Sequence, residues 1–196
     1  LQRQPERSTC PAGGVYVDQH LMVKALSQSL PHGWNLYVKE HRSQFLPLGR
    51  MDSSRGWDYY PRLAAIDRVQ LVPLEYSPFE LIDKSRATAT ITGTVGWESV
   101  VRCKPSIVFG YPWYRYCAGV FHTPTFAALR ATIETIQQGY QVDPVNVALF
   151  LETLQKIGLW AYFDKNYEEA LQISPAQNAQ RISRGLVDYL KKWGQG

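Results

Sequence analysis

Apolar residues recur at Val17, Leu21, Val23, Leu26 and Leu30, a near-helical spacing that predicts a helix stopped by the Pro-His-Gly at 31–33. WNLYVKEH (34–41) is a run of β-formers closing on charged residues, which predicts a buried strand. The stretch from Arg42 to Ser54 is rich in Ser, Gly and Pro and reads as a loop. GWDYYPRLAAI (56–66) suits a helix with Pro61 near its first turn, and VQLVP (69–73) a second strand. SPFELIDKS (77–85) has Ser77 placed to cap a helix, Pro78 at the first helical position and Glu80 three residues after the cap. ATATI (87–91) is a third strand, TVGWESVVRC (94–103) its helix, and PSIVFG (105–110) a fourth strand. Residues from Pro124 to Trp193 are patterned as mostly helical.

Strands separated by helices, and too apolar to alternate cleanly, argue for a parallel sheet covered on both faces. The expected class is therefore α/β, a Rossmann-like sheet with flanking helices and a helical C-terminal extension. The opening LQRQPERSTCPAGG has no methionine and resembles the tail of a strand entering a Pro/Gly loop, so a fragment or cloned domain is expected.

Composition narrows the classes. The 196 residues suit one compact domain with a small appendage. Hydrophobic residues at 45% and charged residues at 19% are ordinary for a soluble globular protein. A net charge of +4 suits an anionic ligand or an acidic membrane surface, but no Lys/Arg cluster supports nucleic acid as a partner. Cys10, Cys103 and Cys117 are odd in number and lack metal-like spacing, which favours a reduced, cytosolic compartment over a disulfide framework. No stretch approaches the ~18–20 apolar residues needed to span a bilayer. A cytoplasmic protein without metal or cofactor is expected.

In sheets of this kind ligands bind at the carboxyl ends of the strands. Lys39, His41 and Arg42 fall at the end of the first strand, where a histidine can donate to a phosphate or carboxylate within a positive field. The competing reading is a solvated polar strand end. In ATATITGTVGWES (87–99), Gly93 and Gly96 allow tight turning, Thr92 and Thr94 supply hydroxyls, and the helix that follows directs unpaired N–H groups into the loop. That stretch is either a phosphate cradle or a capped strand-to-helix connection, and it lacks the Lys and third Gly of the familiar nucleotide motifs. FGYPWYRYCAGVF (109–121) is dense in aromatics, which line a sugar or nucleobase site or pack an irregular loop.

Taken in order, LYVKEH, VQLVP, SPFELIDKS and ATITGTVGWESVVRCKPSIVFGYPWY resemble the capsule polysaccharide biosynthesis family, of the bacterial capsular Kdo-transferase type. The matching residues are Lys39 and His41, Thr92 to Gly96 with Glu98, Lys104-Pro105, Phe109-Gly110 and Trp113-Tyr114, within residues 1–121. Arg42 stands where the family usually has Pro, and Ser99 and Arg102 where it usually has Ala and Gly.

The resemblance implies a two-lobed GT-B glycosyltransferase, with residues 1–122 as its C-terminal, nucleotide-sugar-binding lobe and 123–196 as a helical extension packed on it. It implies a CMP-activated sugar such as Kdo as donor, a saccharide or lipid-linked acceptor, and a partner N-terminal lobe. It nominates Lys39, His41, Thr92, Gly93, Thr94, Val95, Gly96, Glu98 and Tyr114 as the nucleotide site. Glu6 is the lone early-loop carboxylate offered for catalysis, and a salt bridge with Arg3 or Arg7 competes for it. The alternatives are a non-catalytic nucleotide-binding or scaffolding lobe and a nucleotide-sugar epimerase.

In SPAQNAQRISRGLVDYLKKWGQG, Ser174 is placed to cap a helix with Pro175 first. Ile182, Leu186, Tyr189, Leu190 and Trp193 form its apolar stripe, and Arg181, Arg184, Lys191 and Lys192 a basic side. The expectation is a helix docked on protein through Leu186, Leu190 and Trp193. The alternative is peripheral contact with an anionic membrane at the inner face.

Overall fold

The structure is a computed structural model that describes residues 1–4, 9–45, 55–164 and 167–194. The first predicted helix becomes a 3-10 turn at Gly14–Val17 followed by α1, Gln19–Ser29. The break falls at Asp18, whose side chain accepts from the His20 backbone N–H and so caps α1. Val17 is thus outside the helix, and α1 buries Met22, Val23, Ala25 and Leu26.

The strands are β1 (Leu36–Lys39), β2 (Val69–Val72), β3 (Thr88–Thr90), β4 (Ser106–Val108) and β5 (Val120–His122). All pairings are parallel, and they form two sheets, β1–β2 and β3–β4–β5. Leu36 pairs Val69 through to Lys39 with Val72, so Lys39 marks the carboxyl edge of the first sheet. Thr90, Val108 and His122 mark that edge in the second.

Residues 1–4 run between the two edges. The Leu1 amino group donates to the Lys39 carbonyl, while the Gln2 side chain bonds Thr92, two residues past β3.

Helices follow the strands as parallel connections require. They are α2 (Tyr59–Ala64), α3 (Pro78–Lys84), α4 (Val95–Val101) and α5 (Phe126–Gln137). Pro61 fits α2 because it lies in the first turn, where an N–H has no intrahelical partner. Ser77 takes the N-cap position of α3, but its side chain makes no cap bond. Cys103, one residue past Arg102, adopts the left-handed conformation after α4, with φ 57°.

On one side of the sheets, Leu129, Ile133 and Ile136 of α5 join Val23 and Leu26 of α1 over Val38, Ile91 and Ile107. Val108 follows Ile107 in β4 and so points to the opposite face, where α3 and α4 bury Ile82 and Val100. The α/β class with parallel sheets, flanking helices and a helical C-terminal extension is as expected.

The chain forms two compact units, Leu1–Val147 and Ala148–Gly196. The first takes in α5, and the boundary falls inside α6, Pro144–Ile157. The second also holds α7 (Glu168–Leu171) and α8 (Pro175–Trp193). Ser174 closes a capping box with Gln177 at the start of α8. Asn178 exchanges hydrogen bonds with the Tyr162 backbone at 2.8 and 2.9 Å, and Gly185 leaves room for Leu159. Within this unit α8 therefore packs through Asn178 and Gly185, while Leu186, Leu190 and Trp193 are exposed. Among the described residues no helix is long and apolar enough to cross a membrane.

Candidate functional site at the strand ends

His41 and the turn from Thr92 to Gly96 lie just past the carboxyl ends of β1 and β3. His41 follows β1 directly and is exposed. Its Nδ1 accepts from the Ser43 backbone N–H at 3.3 Å and lies 2.5 Å from Ser43 Oγ. An Nδ1 that accepts leaves the ring proton of a neutral imidazole on Nε2. His41 thus presents an N–H donor. Lys39 is turned elsewhere, donating from Nζ to the Leu74 carbonyl at 2.9 Å, with its pKa lowered by burial and by Arg42.

The turn after β3 is wired internally. The Thr92 N–H donates to Gln2 Oε1 at 2.9 Å, and the Gly93 N–H to Thr90 Oγ1 at 3.1 Å. Thr94 stands at the N-cap of α4 without a side-chain cap bond, and its hydroxyl donates to Glu98 Oε1 at 3.2 Å. Neither Thr94 nor Val95 has a hydrogen-bond acceptor for its N–H among the described residues. Those two donors are what the turn offers a ligand.

Gly93 and Gly96 are needed for close approach. A Cβ on Gly93 would come within 2.8 Å of Thr90 Oγ1 and 3.3 Å of Gln2 Cγ. One on Gly96 would overlap the Tyr114 hydroxyl and lie 2.8 Å from Ser106 Oγ. Tyr114 is fully buried and donates to the Gly93 carbonyl, so it supports the turn from the protein side. Burial, then the charge of Glu98, raises its pKa.

His41 and the turn share one network. Gln2, bonded to Thr92, is fixed by Gln19, which donates to the Gln2 carbonyl at 2.7 Å and accepts from its N–H at 2.8 Å. Gln4 exchanges hydrogen bonds with Gln44 in the 3-10 turn Arg42–Phe45 that follows His41. Residues 2–4 therefore tie the two nominated loops together.

Behind His41, Glu40 and Arg55 form a buried ion pair at 3.1 Å, with side chains 5% and 7% exposed. Glu40 also accepts from the Tyr60 hydroxyl and the His41 N–H, and Arg55 donates to the Gln2 carbonyl at 2.9 Å. Both Glu40 oxygens are thus occupied by hydrogen-bond partners. Burial and then Glu40 itself push the Tyr60 pKa up. An apolar hollow at the ends of β1 and β2 is lined by Val38, Phe45, Tyr60, Leu71 and Leu74.

Glu6, nominated for catalysis, lies outside the described residues. Sequence reasoning missed Gln2, Gln4, Glu40, Gln44 and Arg55. Only Glu40 carried a signal, its place between Lys39 and His41. Among the described residues no group of His, Cys, Asp and Glu is arranged to hold a metal ion.

The same stretch is matched by the family model described as capsule polysaccharide biosynthesis protein, over residues 7–132. The chain belongs to that family. No curated protein and no solved structure matches it. The capsule-biosynthesis match contains His41, the turn from Thr92 to Gly96 and the aromatic stretch beyond β4, and it places this strand edge in a protein of capsule synthesis.

Proposed function

We propose that the first unit is the nucleotide-sugar-binding lobe of a glycosyltransferase in capsule or surface-polysaccharide assembly, with a CMP-activated sugar such as Kdo as donor. The observation that carries this reading is the network of residues 2–4 that links the loop after His41 to the turn whose Thr94 and Val95 N–H groups have no acceptor among the described residues. A nucleotide phosphate gains negative charge as the glycosidic bond breaks, and fixed N–H donors stabilise that charge. Glu6 is the carboxylate proposed for acid–base or nucleophilic work, in concert with a second lobe.

One observation favours the alternative, a lobe that binds without turning over. Three described carboxylates of this region are engaged: Glu40 with Arg55, Glu98 with Thr94, and Asp18 as the cap of α1. Turnover by the full chain in which Glu6→Gln is silent removes the catalytic role of Glu6.

A thermal-shift panel of CMP, UDP and GDP separates the donors, and stabilisation by UDP alone favours the epimerase reading. Calorimetry then tests the site. His41→Ala is expected to weaken CMP binding by about 1.5–3 kcal/mol, the worth of a hydrogen bond to a charged group. Unchanged CMP affinity in that variant refutes the assignment.

A further inference from the structure

Just past β4 the chain exposes three aromatic rings, Tyr111, Trp113 and Tyr116. Scattered exposed aromatics need no explanation, but each of these is braced by a neighbour, and Arg115 joins two of them into a shelf. Tyr111 packs on His122 with ring centroids 4.8 Å apart, and Trp113 on Trp97 at 5.0 Å. Arg115 joins Tyr111 to Tyr116, its guanidinium carbon 5.3 Å from the first ring centroid and 4.4 Å from the second. Its Nη2 also donates to the Tyr116 hydroxyl at 2.7 Å. Stacking of this kind preorganises a guanidinium while leaving its edge free to grip an anion.

Charge on the shelf is simple. Arg115 makes no ion pair among the described residues. His122 is held towards its neutral form, first by burial and then by Arg115. The shelf therefore carries one cation that no described carboxylate pairs.

Its position is equally defined. His122 is the residue paired with Val108 at the carboxyl edge, and the Gly110 N–H donates to the Ile91 carbonyl, next to Thr92. Tyr114, between the shelf residues, holds Gly93. The shelf thus borders the turn from Thr92 to Gly96.

We infer that the shelf formed by Tyr111, Arg115 and Tyr116 binds an acidic saccharide chain, with sugar rings on the aromatic faces and a carboxylate on Arg115. Aromatic faces offer sugar rings an apolar contact, and Arg grips a carboxylate with paired, charge-assisted hydrogen bonds. The choice of a saccharide over another planar or anionic ligand rests on the capsule-synthesis reading of the chain. It does not depend on the nucleotide site.

The test titrates the full chain with an oligogalacturonate, with a neutral malto-oligosaccharide of equal length, and with CMP, by tryptophan fluorescence and calorimetry. Arg115→Gln is expected to weaken the acidic oligomer about tenfold, as loss of a charged hydrogen bond requires, and to leave the neutral one unchanged. Tyr111→Ala is expected to weaken both oligomers, and neither variant to change CMP affinity. His41→Ala is expected to keep oligomer binding, so failure of the nucleotide reading shows separately. Absence of oligogalacturonate binding, or binding indifferent to both variants at unchanged melting temperature, overturns the inference. Loss of CMP affinity in Tyr111→Ala overturns it too, by making the shelf a nucleobase site.

Discussion

A single methyl group tests how the turn after β3 is held. Gly96 leaves the space that the Tyr114 hydroxyl and Ser106 Oγ occupy, and Tyr114 in turn fixes Gly93. Gly96→Ala is expected to destabilise the protein by about 1–3 kcal/mol, the usual cost of overpacking a filled site. Urea denaturation reads this directly, and Tyr114→Phe in the same chain should recover part of the loss by removing the hydroxyl. An unshifted midpoint in Gly96→Ala means that the contact is not tight. His122 supplies a pH test. Burial and Arg115 lower its pKa from the ordinary 6.5, so the unfolded chain takes up this proton at higher pH than the folded one. The stability it protects is complete above that ordinary value and is lost as pH falls through the lowered one. Between about pH 7.5 and about pH 5, His122→Gln should therefore lose less melting temperature than the parent chain. Equal losses contradict this.

Among the elements, the join between the end of β1 and the segment leading into α2 is electrostatic. Glu40 and Arg55 are buried together, and each also bonds a further group of the site. Arg55→Ala strands a buried carboxylate and is expected to cost about 3–5 kcal/mol, whereas Glu40→Leu with Arg55→Met should cost much less. Similar melting temperatures for the single and double variants contradict a coupled pair. The elements themselves were largely legible. VQLV, ATAT and SIV are runs of strand-formers between turn signals, and the helices between them forced parallel pairing. Strand β5 was not legible, because three residues after an aromatic-rich loop carry too little pattern. His41 and the Thr92 to Gly96 turn could be nominated because strand ends are where such sheets bind ligands. Gln2 and Arg55 could not, since the bonds that tie them to the site, Gln2 to Thr92 and Arg55 to Gln2, span 90 and 53 residues and nothing local marks them. The stripe on α8 was visible as a period, but the face it packs within its own unit is set by Asn178 and Gly185.

For the whole molecule, the chain belongs to the capsule polysaccharide biosynthesis family, its first unit is a parallel α/β fold, and the proposed site lies at the carboxyl edge of the sheets. Residues 2–4 there hold two loops from different sheets in register, as a preorganised site requires. The second unit, Ala148–Gly196, contributes a separate amphipathic helix whose Leu186, Leu190 and Trp193 are exposed. The central claim is that the edge of the first unit holds a nucleotide phosphate between His41 and the turn. A crystal structure of the chain with CMP tests it most directly. The phosphate is expected within hydrogen-bond distance of His41 Nε2 and of the Thr94 or Val95 backbone N–H. Bound CMP with its phosphate away from both loops contradicts the claim.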